Sequence, residues 1–331
     1  MIPFELYMIV GFLLSSYAIV ANDAIQTLGT FIAANRQRSW VTLWLFVSGI
    51  LSIVLLYGWL KSGGDPAYGR LSAFYYDPNI AEQVYGPLCI IPPLTLLILT
   101  RFGLPVSTTF LILTFFAPKN LVSMVTKSLW GYGLALVVGL ITFRLVRGYL
   151  QKRQASEHTQ LDPWWVPFQW ITTAFLWSQW LIQDLANLFI YFPRIGVKGE
   201  QTLSLSWLLL GLFTMVFMQM LILREGGGKI QEIVDKKSGT SDVREAALIN
   251  LVYGLVILFF KEYSKMPMST TWVFLGLLAG REIAYKLDVI KEDRSTWQMI
   301  GGDLLKATAG LIVSVIIALG MQGQLLSFFS S

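Results

Sequence analysis

Cysteine and histidine are nearly absent from this chain of 331 residues. Cys89 is its one cysteine, which excludes an internal disulfide and a metal cluster of thiolates. His158 is its one histidine and lies in a polar central stretch, where a surface position is expected rather than a role as a metal ligand. Functional residues must therefore be sought among other residue types.

Charge is also scarce: 14% of the residues are charged and the net charge is +5, while 55% are hydrophobic and the mean hydropathy is +0.60. Nothing resembles a separate soluble domain or a nucleic-acid-binding surface. Several apolar stretches approach the roughly 20 residues that cross a bilayer, most clearly Leu43–Leu60, Leu203–Leu223 and Leu304–Met321. Met1–Glu5 lacks the basic region of a cleaved signal, so the first apolar run is interpreted as a membrane helix. The sequence predicts an all-α polytopic membrane protein in contact with lipid.

Three consecutive hydroxyl residues follow a proline at two places in the chain. Pro105-Val-Ser-Thr-Thr and Pro267-Met-Ser-Thr-Thr each stand between apolar runs, and Ser107 and Ser269 are 162 residues apart. Proline suits the first turn of a helix, and Ser or Thr can cap that turn. Each hydroxyl motif thus predicts a helix N-terminus at or near membrane depth, where free N–H groups and the helix dipole favour an oxyanion.

A carboxylate accompanied by amides lies in the predicted first helix of each half. The helix from about Pro3 to Ala34 contains Asn22, Asp23 and Gln26, and the helix from Trp170 to Phe192 contains Gln183, Asp184 and Asn187. Asp23 and Asp184 are 161 residues apart, which matches the spacing of the hydroxyl motifs. An aspartate at the centre of a membrane helix costs about 2.5 to 3.5 kcal/mol on insertion. Such residues usually face a bundle interior and mark the path of an ion or a substrate.

A third pair of polar landmarks repeats the same order, since Gly69-Arg70-Leu71 and Gly228-Lys229-Ile230 are 159 residues apart. Three pairs with nearly one spacing indicate an internal duplication. We predict a first repeat over residues 1–154, a central cytoplasmic loop over 155–167 and a second repeat over 168–331. Each repeat has about five membrane segments, and an odd number inverts the second repeat relative to the first. The arms around the first hydroxyl motif are short, so broken or re-entrant helices are expected to meet near the midplane.

The distribution of basic residues predicts the orientation. With both termini outside, the cytoplasmic loops carry fifteen Lys and Arg residues and the opposite loops carry six. Cytoplasmic loops of membrane proteins carry the excess of Lys and Arg. We therefore expect both termini outside and the central loop inside, in the inner membrane of a bacterium.

The two pairs of motifs together resemble those of the inorganic phosphate transporter family, which includes the sodium-dependent phosphate symporters. That family carries an Asn-Asp signature in the first helix of each repeat and a Pro-Val-Ser-Thr-Thr signature later in it. Asn22-Asp23 and Pro105–Thr109 match the first copy closely, and Asp184 with Pro267–Thr271 matches the second less fully. The resemblance covers nearly the whole chain and implies an inverted-repeat transporter that forms a homodimer.

The sequence also departs from the family pattern. Gln26 and Gln183 stand where asparagine is common, so the number of amides is kept but each side chain is one methylene longer. Phe110 and Trp272 follow the hydroxyl motifs where the family often has histidine. The hydrophilic insertion of many relatives is missing. These departures concern the identity of the substrate rather than the fold.

The predicted site has an anion half and a cation half. N-termini of helices in two inverted repeats can face each other near the midplane. Six hydroxyl residues would then surround a tetrahedral oxyanion: Ser107, Thr108, Thr109, Ser269, Thr270 and Thr271. Bound Na⁺ would balance the negative charge, with carboxylate and amide oxygens as its ligands: Asn22, Asp23, Gln26, Gln183, Asp184 and Asn187. The nearby cations Arg101, Lys261 and Lys265 lie upstream of the caps and are expected to point to the loops.

The sequence thus predicts symport of inorganic phosphate with Na⁺, with no enzymatic activity and no cofactor besides the coupling ion. Cation and anion would stabilise each other's binding, which is the basis of symport. Sulfate or another oxyanion, H⁺ coupling and a passive anion channel on the same fold are the alternatives. An intramembrane aspartyl protease is disfavoured because Gly301-Gly302-Asp303 lacks the first glycine of that motif and the repeated hydroxyls would have no role.

Overall fold

The computed structural model of the protein describes residues 3–102, 107–154, 162–238 and 242–286, with scattered residues between 298 and 320. Almost all of the ordered elements in these ranges are helices, and the one sheet among them is a two-stranded hairpin. The all-α fold predicted from composition is confirmed. Several predicted features lie outside the described residues: Gly103–Val106, the loop residues 155–161 with His158, Asp303, and much of Leu304–Met321.

The first half begins with a long helix that a π-helical segment divides, and it ends with another long helix. Its helices are α1 (Phe4–Ile19), the π-helical segment Val20–Ala24, α2 (Ile25–Ala34), α3 (Trp40–Lys61), α4 (Ala81–Val84), α5 (Ile91–Arg101), a second π-helical segment Thr109–Leu113, α6 (Thr114–Phe116) and α7 (Leu121–Gln154). Short 3-10 turns cover Arg70–Ala73, Pro87–Ile90 and Pro118–Asn120. The two arms α5 and α6 around the first hydroxyl motif are short, as predicted for a re-entrant pair.

The second half also begins with an interrupted helix, but the helices on either side of its hydroxyl motif are longer than α5 and α6. Its helices are α8 (Trp165–Asp184), α9 (Ala186–Phe189), α10 (Leu205–Arg224), α11 (Gly228–Ser238), α12 (Val243–Tyr263) and α13 (Thr270–Lys286). The antiparallel strands β1 (Arg194–Ile195) and β2 (Thr202–Leu203) lie between α9 and α10, with Arg194 opposite Leu203.

Both helices that carry a buried aspartate are irregular where the aspartate lies. The π-helical segment Val20–Ala24 contains Asn22 and Asp23, and the Thr27 hydroxyl donates to the Asp23 carbonyl oxygen over 2.9 Å. In the second half the regular helix stops at Asp184 and resumes at Ala186. Single π-helical turns within α-helices occur often at functional sites. Both aspartates thus lie where the regular α-helix is interrupted.

Five helices among the described residues are long and apolar enough to cross a membrane: Phe4–Ala34, Trp40–Lys61, Pro118–Gly148, Leu205–Arg224 and Val243–Tyr263. Pro87–Arg101 is a shorter apolar helix. Helix α8 is more polar than these because it carries several glutamines and Asp184, but most of that polar surface is buried in the protein. A helix buried within a bundle need not present an apolar surface to lipid. The chain is an integral membrane protein.

The backbones of helices α7 and α13 lie so close together that no side chain fits between them at the contact. Gly276 and Gly280 lie one turn apart on α13. A Cβ atom added at Gly280 would lie 2.1 Å from the carbonyl oxygen of Leu136, and one added at Gly276 would lie 2.3 Å from that of Tyr132. Small residues allow such backbone contacts between membrane helices. This contact holds the helix that follows the second hydroxyl motif against the last long helix of the first half.

A buried chain of hydrogen bonds joins α2, α12 and α8. The Thr30 hydroxyl donates to the side-chain oxygen of Asn250 over 2.6 Å, and the Asn250 amide donates to the Thr173 hydroxyl over 2.8 Å. All three side chains are buried. Polar side chains link helices inside membranes because lipid offers them no other partner. These bonds fix the two aspartate-bearing helices relative to each other.

Candidate substrate and ion site

The first carboxylate cluster lies in the π-helical segment of the first helix. The Asn22 amide donates to Asp23 Oδ1 over 2.7 Å, and the Gln26 amide donates to Asn22 Oδ1 over 2.9 Å. All three side chains are at least 96% buried. Gln26 Oε1 has no hydrogen-bond partner in the described part of the chain. The cluster therefore presents a carboxylate and a free amide oxygen in the protein interior.

The second carboxylate cluster lies where α8 meets α9. The Asn187 amide donates to Asp184 Oδ1 over 3.0 Å. Both side chains are buried, as is that of Gln183. Within the described residues, Asp184 Oδ2, Asn187 Oδ1 and both polar atoms of the Gln183 amide lack a hydrogen-bond partner. Buried polar atoms without a partner are rare in proteins and call for an explanation such as a missing ion or water.

Each carboxylate contacts the hydroxyl motif of the opposite half of the chain. The Thr109 hydroxyl donates to Asp184 Oδ1 over 3.2 Å, and the Thr271 hydroxyl lies 3.5 Å from Asp23 Oδ1. Thr109 belongs to the first half and Asp184 to the second, while Thr271 and Asp23 have the reverse relation. The same contact thus occurs twice, at equivalent positions of the duplicated sequence. The two hydroxyl motifs and the two carboxylates form one buried site.

The six predicted hydroxyl ligands are all buried but have different local roles. The Ser107 hydroxyl accepts a hydrogen bond from the Phe110 N–H over 3.3 Å, and the Ser269 hydroxyl accepts one from the Trp272 N–H over 3.4 Å. Both serines are therefore N-caps of the kind that the sequence predicted. Of the four threonines, Thr109 and Thr271 contact the carboxylates. The Thr270 hydroxyl accepts from the Trp180 indole over 3.2 Å, and the Thr108 hydroxyl has no partner among the described residues.

The two aromatic residues that depart from the family pattern meet inside the protein. The rings of Phe110 and Trp272 are 6.2 Å apart between centroids and lie edge to face. Edge-to-face contacts of this kind stabilise a pair of rings by about 0.5 to 1.5 kcal/mol beyond their burial. Because each ring directly follows a hydroxyl motif, this contact positions the two capped helix starts relative to each other.

The donor set of the site consists of hard oxygen atoms. The described residues contain no group of three or more His, Cys, Asp and Glu side chains that could hold a metal ion. Carboxylate, amide and hydroxyl oxygens suit hard cations, whereas transition metals favour imidazole and thiolate. These oxygen atoms lie beside the helix N-termini capped by Ser107 and Ser269.

Two buried cations near the site were missed by sequence reasoning. Arg70 is 2% exposed and lies close enough to Asp184 to interact with it electrostatically. Lys127 is 7% exposed, and its ammonium donates to the carbonyl oxygens of Ser264 and Met266 over 2.8 and 2.5 Å. The recurrence of Gly69-Arg70 as Gly228-Lys229 in the second half was the sequence signal that could have pointed to Arg70.

Of the three cations named from the sequence, two are exposed and Lys261 is partly buried. Arg101 and Lys265 are exposed, and Lys261 forms an ion pair with the exposed Glu262 at 2.9 Å. Lys265 nevertheless lies near Arg70, since its Nζ is 2.9 Å from the place where a Cβ atom on Gly69 would stand. Lys265 thus belongs to the surroundings of the buried cations rather than to the carboxylate clusters.

No family model matches the sequence, and no curated protein matches it. A solved structure described as "The sodium-dependent phosphate transporter" matches the fold with a TM-score of 0.69 and 14% sequence identity, over 100% of this chain and 99% of the other. This chain shares the fold of that transporter. The likeness extends over the whole length, so the polytopic fold that the four motifs predicted is confirmed.

Proposed function

We propose that this protein is a symporter of inorganic phosphate that uses Na⁺ as its coupling ion. The observation that carries the proposal is the pairing of each buried carboxylate with the hydroxyl motif of the opposite repeat, through Thr109 with Asp184 and Thr271 with Asp23. A cation held at either carboxylate then lies beside the helix start that binds the anion. The fold shared with a sodium-dependent phosphate transporter supports the same function.

The helix starts supply the anion half of this mechanism. Ser107 and Ser269 cap the first turns, and the N–H groups near these caps carry the positive end of the helix dipole. Each helix end favours an anion by roughly 0.3 to 2 kcal/mol. The cost of desolvating a charged group is several kcal/mol, so the helix ends need a bound cation to hold the anion. Phosphate affinity should therefore depend on Na⁺.

The unpartnered oxygens supply the cation half. Gln26 Oε1, Asp184 Oδ2 and Asn187 Oδ1 are buried acceptors without a donor among the described residues. A cation satisfies such oxygens, whereas leaving a buried acceptor unpaired costs about 1 to 3 kcal/mol. The resulting stabilisation of cation and anion is reciprocal, because binding of either ion raises the affinity for the other.

Phosphate is favoured over sulfate by the two carboxylates, Asp23 and Asp184, that lie beside the hydroxyl motifs. Phosphate keeps a proton near neutral pH and can donate a hydrogen bond to a carboxylate, whereas sulfate has no proton to donate. Proteoliposomes should therefore take up radiolabelled phosphate and arsenate faster than radiolabelled sulfate. Uptake should require an inward Na⁺ gradient, with K⁺ as the control. Uptake that ignores both Na⁺ and H⁺ gradients would indicate a channel, and dominant sulfate uptake would indicate a sulfate symporter.

The orientation and the division into repeats are part of the same proposal. We propose a first repeat over residues 1–154, a cytoplasmic loop over 155–167 and a second repeat over 168–331, in a homodimer with both termini outside a bacterial inner membrane. In a Cys89→Ser background, an impermeant maleimide should label Lys198→Cys on intact cells and should label Ser156→Cys only after the cells are opened. Labelling of Ser156→Cys on intact cells would reverse the orientation.

A further inference from the structure

Arg70 is a buried cation that the binding site described above does not use. It lies in the 3-10 turn Arg70–Ala73, and Gly69 before it has φ +81°. Its side chain is 2% exposed, yet its Nε has no hydrogen-bond partner within the described residues. Burial lowers the pKa of Arg70 to about 10, while the nearby carboxylates of Asp184 and Asp65 oppose this shift. The guanidinium therefore keeps its charge at neutral pH and has a free donor.

The surroundings of Arg70 connect it to the second hydroxyl motif. Lys127 lies close enough to interact electrostatically with Arg70, and it bonds the carbonyl oxygens of Ser264 and Met266 just before that motif. Each of two neighbouring basic groups disfavours the charged form of the other, and an anion beside them would relieve this effect. The arrangement is suited to an oxyanion on its way to the helix start at Ser269.

Lys229 occupies the equivalent position in the second repeat, and it lines an open cavity of about 340 Å³. Thr100 and Arg101, which precede the first hydroxyl motif, line the same cavity. The Thr100 hydroxyl is buried and has no partner among the described residues. Ala21 also lines the cavity and directly precedes Asn22 of the first carboxylate cluster. The cavity thus leads from Lys229 towards the binding site.

Arg70 and Lys229 lie at opposite ends of the protein. Helix α3 has 22 residues and is therefore about 33 Å long. Its end at Lys61 leads into the segment that contains Arg70. Its other end, at Trp40, follows Arg36, which forms an ion pair with Asp235 of α11, the helix that contains Lys229. Each cation therefore lies near residues that precede the hydroxyl motif of the other half: Arg70 near Lys265, and Lys229 in one cavity with Thr100 and Arg101.

We propose that Arg70 and Lys229 are a matched pair of outer binding positions for the oxyanion, one at each end of the transport path. This inference rests on the proposed function. A positive side chain in a narrow entrance concentrates anions and speeds their association. In this structure Lys229 faces an open cavity while Arg70 is buried, so the anion has access from the Lys229 end. Each cation would receive phosphate when its own end is open.

The test compares Arg70→Gln and Lys229→Gln in phosphate uptake by intact cells and by inverted membrane vesicles, which expose opposite faces. Lys198→Gln and Arg224→Gln, which remove exposed cations at the ends of neighbouring loops, are the controls. Each test variant should raise the KM for phosphate about tenfold or more at one face of the membrane only. The affected face should differ between the two variants. The half-saturating Na⁺ concentration should change less than twofold.

Phosphate KM values within twofold of wild type at both faces would overturn the inference, as would a fall in maximal rate alone. Lys229 is exposed, so its replacement should not disturb folding, and its variant decides the question even if Arg70→Gln fails to accumulate. Arg70→Lys keeps the charge and should restore most of the phosphate affinity. Wild-type protein without Na⁺-dependent phosphate uptake would contradict the proposed function instead, which the same assay reveals before any variant is compared.

Discussion

Asp23→Asn and Asp184→Asn are each expected to abolish Na⁺-dependent phosphate uptake. Both carboxylates are buried, and each contacts the hydroxyl motif of the other repeat. Asparagine keeps the shape and the acceptor oxygen but removes the negative charge that holds a cation. With the cation lost, the helix starts alone cannot offset the desolvation of phosphate. Phosphate affinity in the variants should therefore be low and independent of Na⁺.

Purified protein provides the measurement. Phosphate binding is followed across a Na⁺ titration at fixed ionic strength, with choline as the replacement ion. Wild-type affinity should rise about 5- to 150-fold over the titration, which is the usual range of coupling between two sites. Glu200→Gln, which neutralises an exposed carboxylate in the loop between β1 and β2, should behave as wild type. Asn variants that keep the Na⁺ dependence would assign the coupling ion to other residues.

The features predicted from the sequence were those that local patterns encode. The long first helix was predicted over Pro3 to Ala34 and forms over Phe4–Ala34. Serine at the start of each hydroxyl motif predicted an N-cap, and both serines accept the expected backbone hydrogen bond. Duplication made these predictions stronger, because an unusual motif that recurs at one spacing is unlikely to be accidental. Composition alone was sufficient to predict that the chain is a membrane protein.

The crosswise contacts could not be predicted, because they depend on how the two halves pack. Nothing within either motif indicates that Thr109 contacts Asp184 or that Thr271 contacts Asp23. The burial of Arg70 has the same origin, since a cation in a polar stretch is normally expected at the surface. The close approach of α7 and α13 was also missed, because glycines within an apolar run are common in membrane helices of every kind.

Gly280→Ala is expected to destabilise the protein, although alanine favours a helix by about 1 kcal/mol over glycine. The new Cβ atom would lie 2.1 Å from the carbonyl oxygen of Leu136 and 2.8 Å from the amide nitrogen of Leu140. These are backbone atoms of α7, which cannot move aside as a side chain can. The helices would have to separate, and overpacking of this kind costs about 1 to 3 kcal/mol or more. Gly280→Leu should prevent accumulation of folded protein.

Gly133→Ala on α7 is the matched control, because a Cβ atom there meets nothing within 4 Å. The same substitution should therefore be neutral or stabilising at Gly133 and destabilising at Gly280. Thermal melting of the purified proteins in one detergent gives the comparison, with size-exclusion profiles to confirm folding. The separation of α7 from α13 should also move the helix start at Ser269, whose N–H donates to the Ser128 hydroxyl oxygen over 2.8 Å. Gly280→Ala should then lose phosphate affinity as well as stability, while equal melting temperatures for the two variants would show that the helices are not in backbone contact.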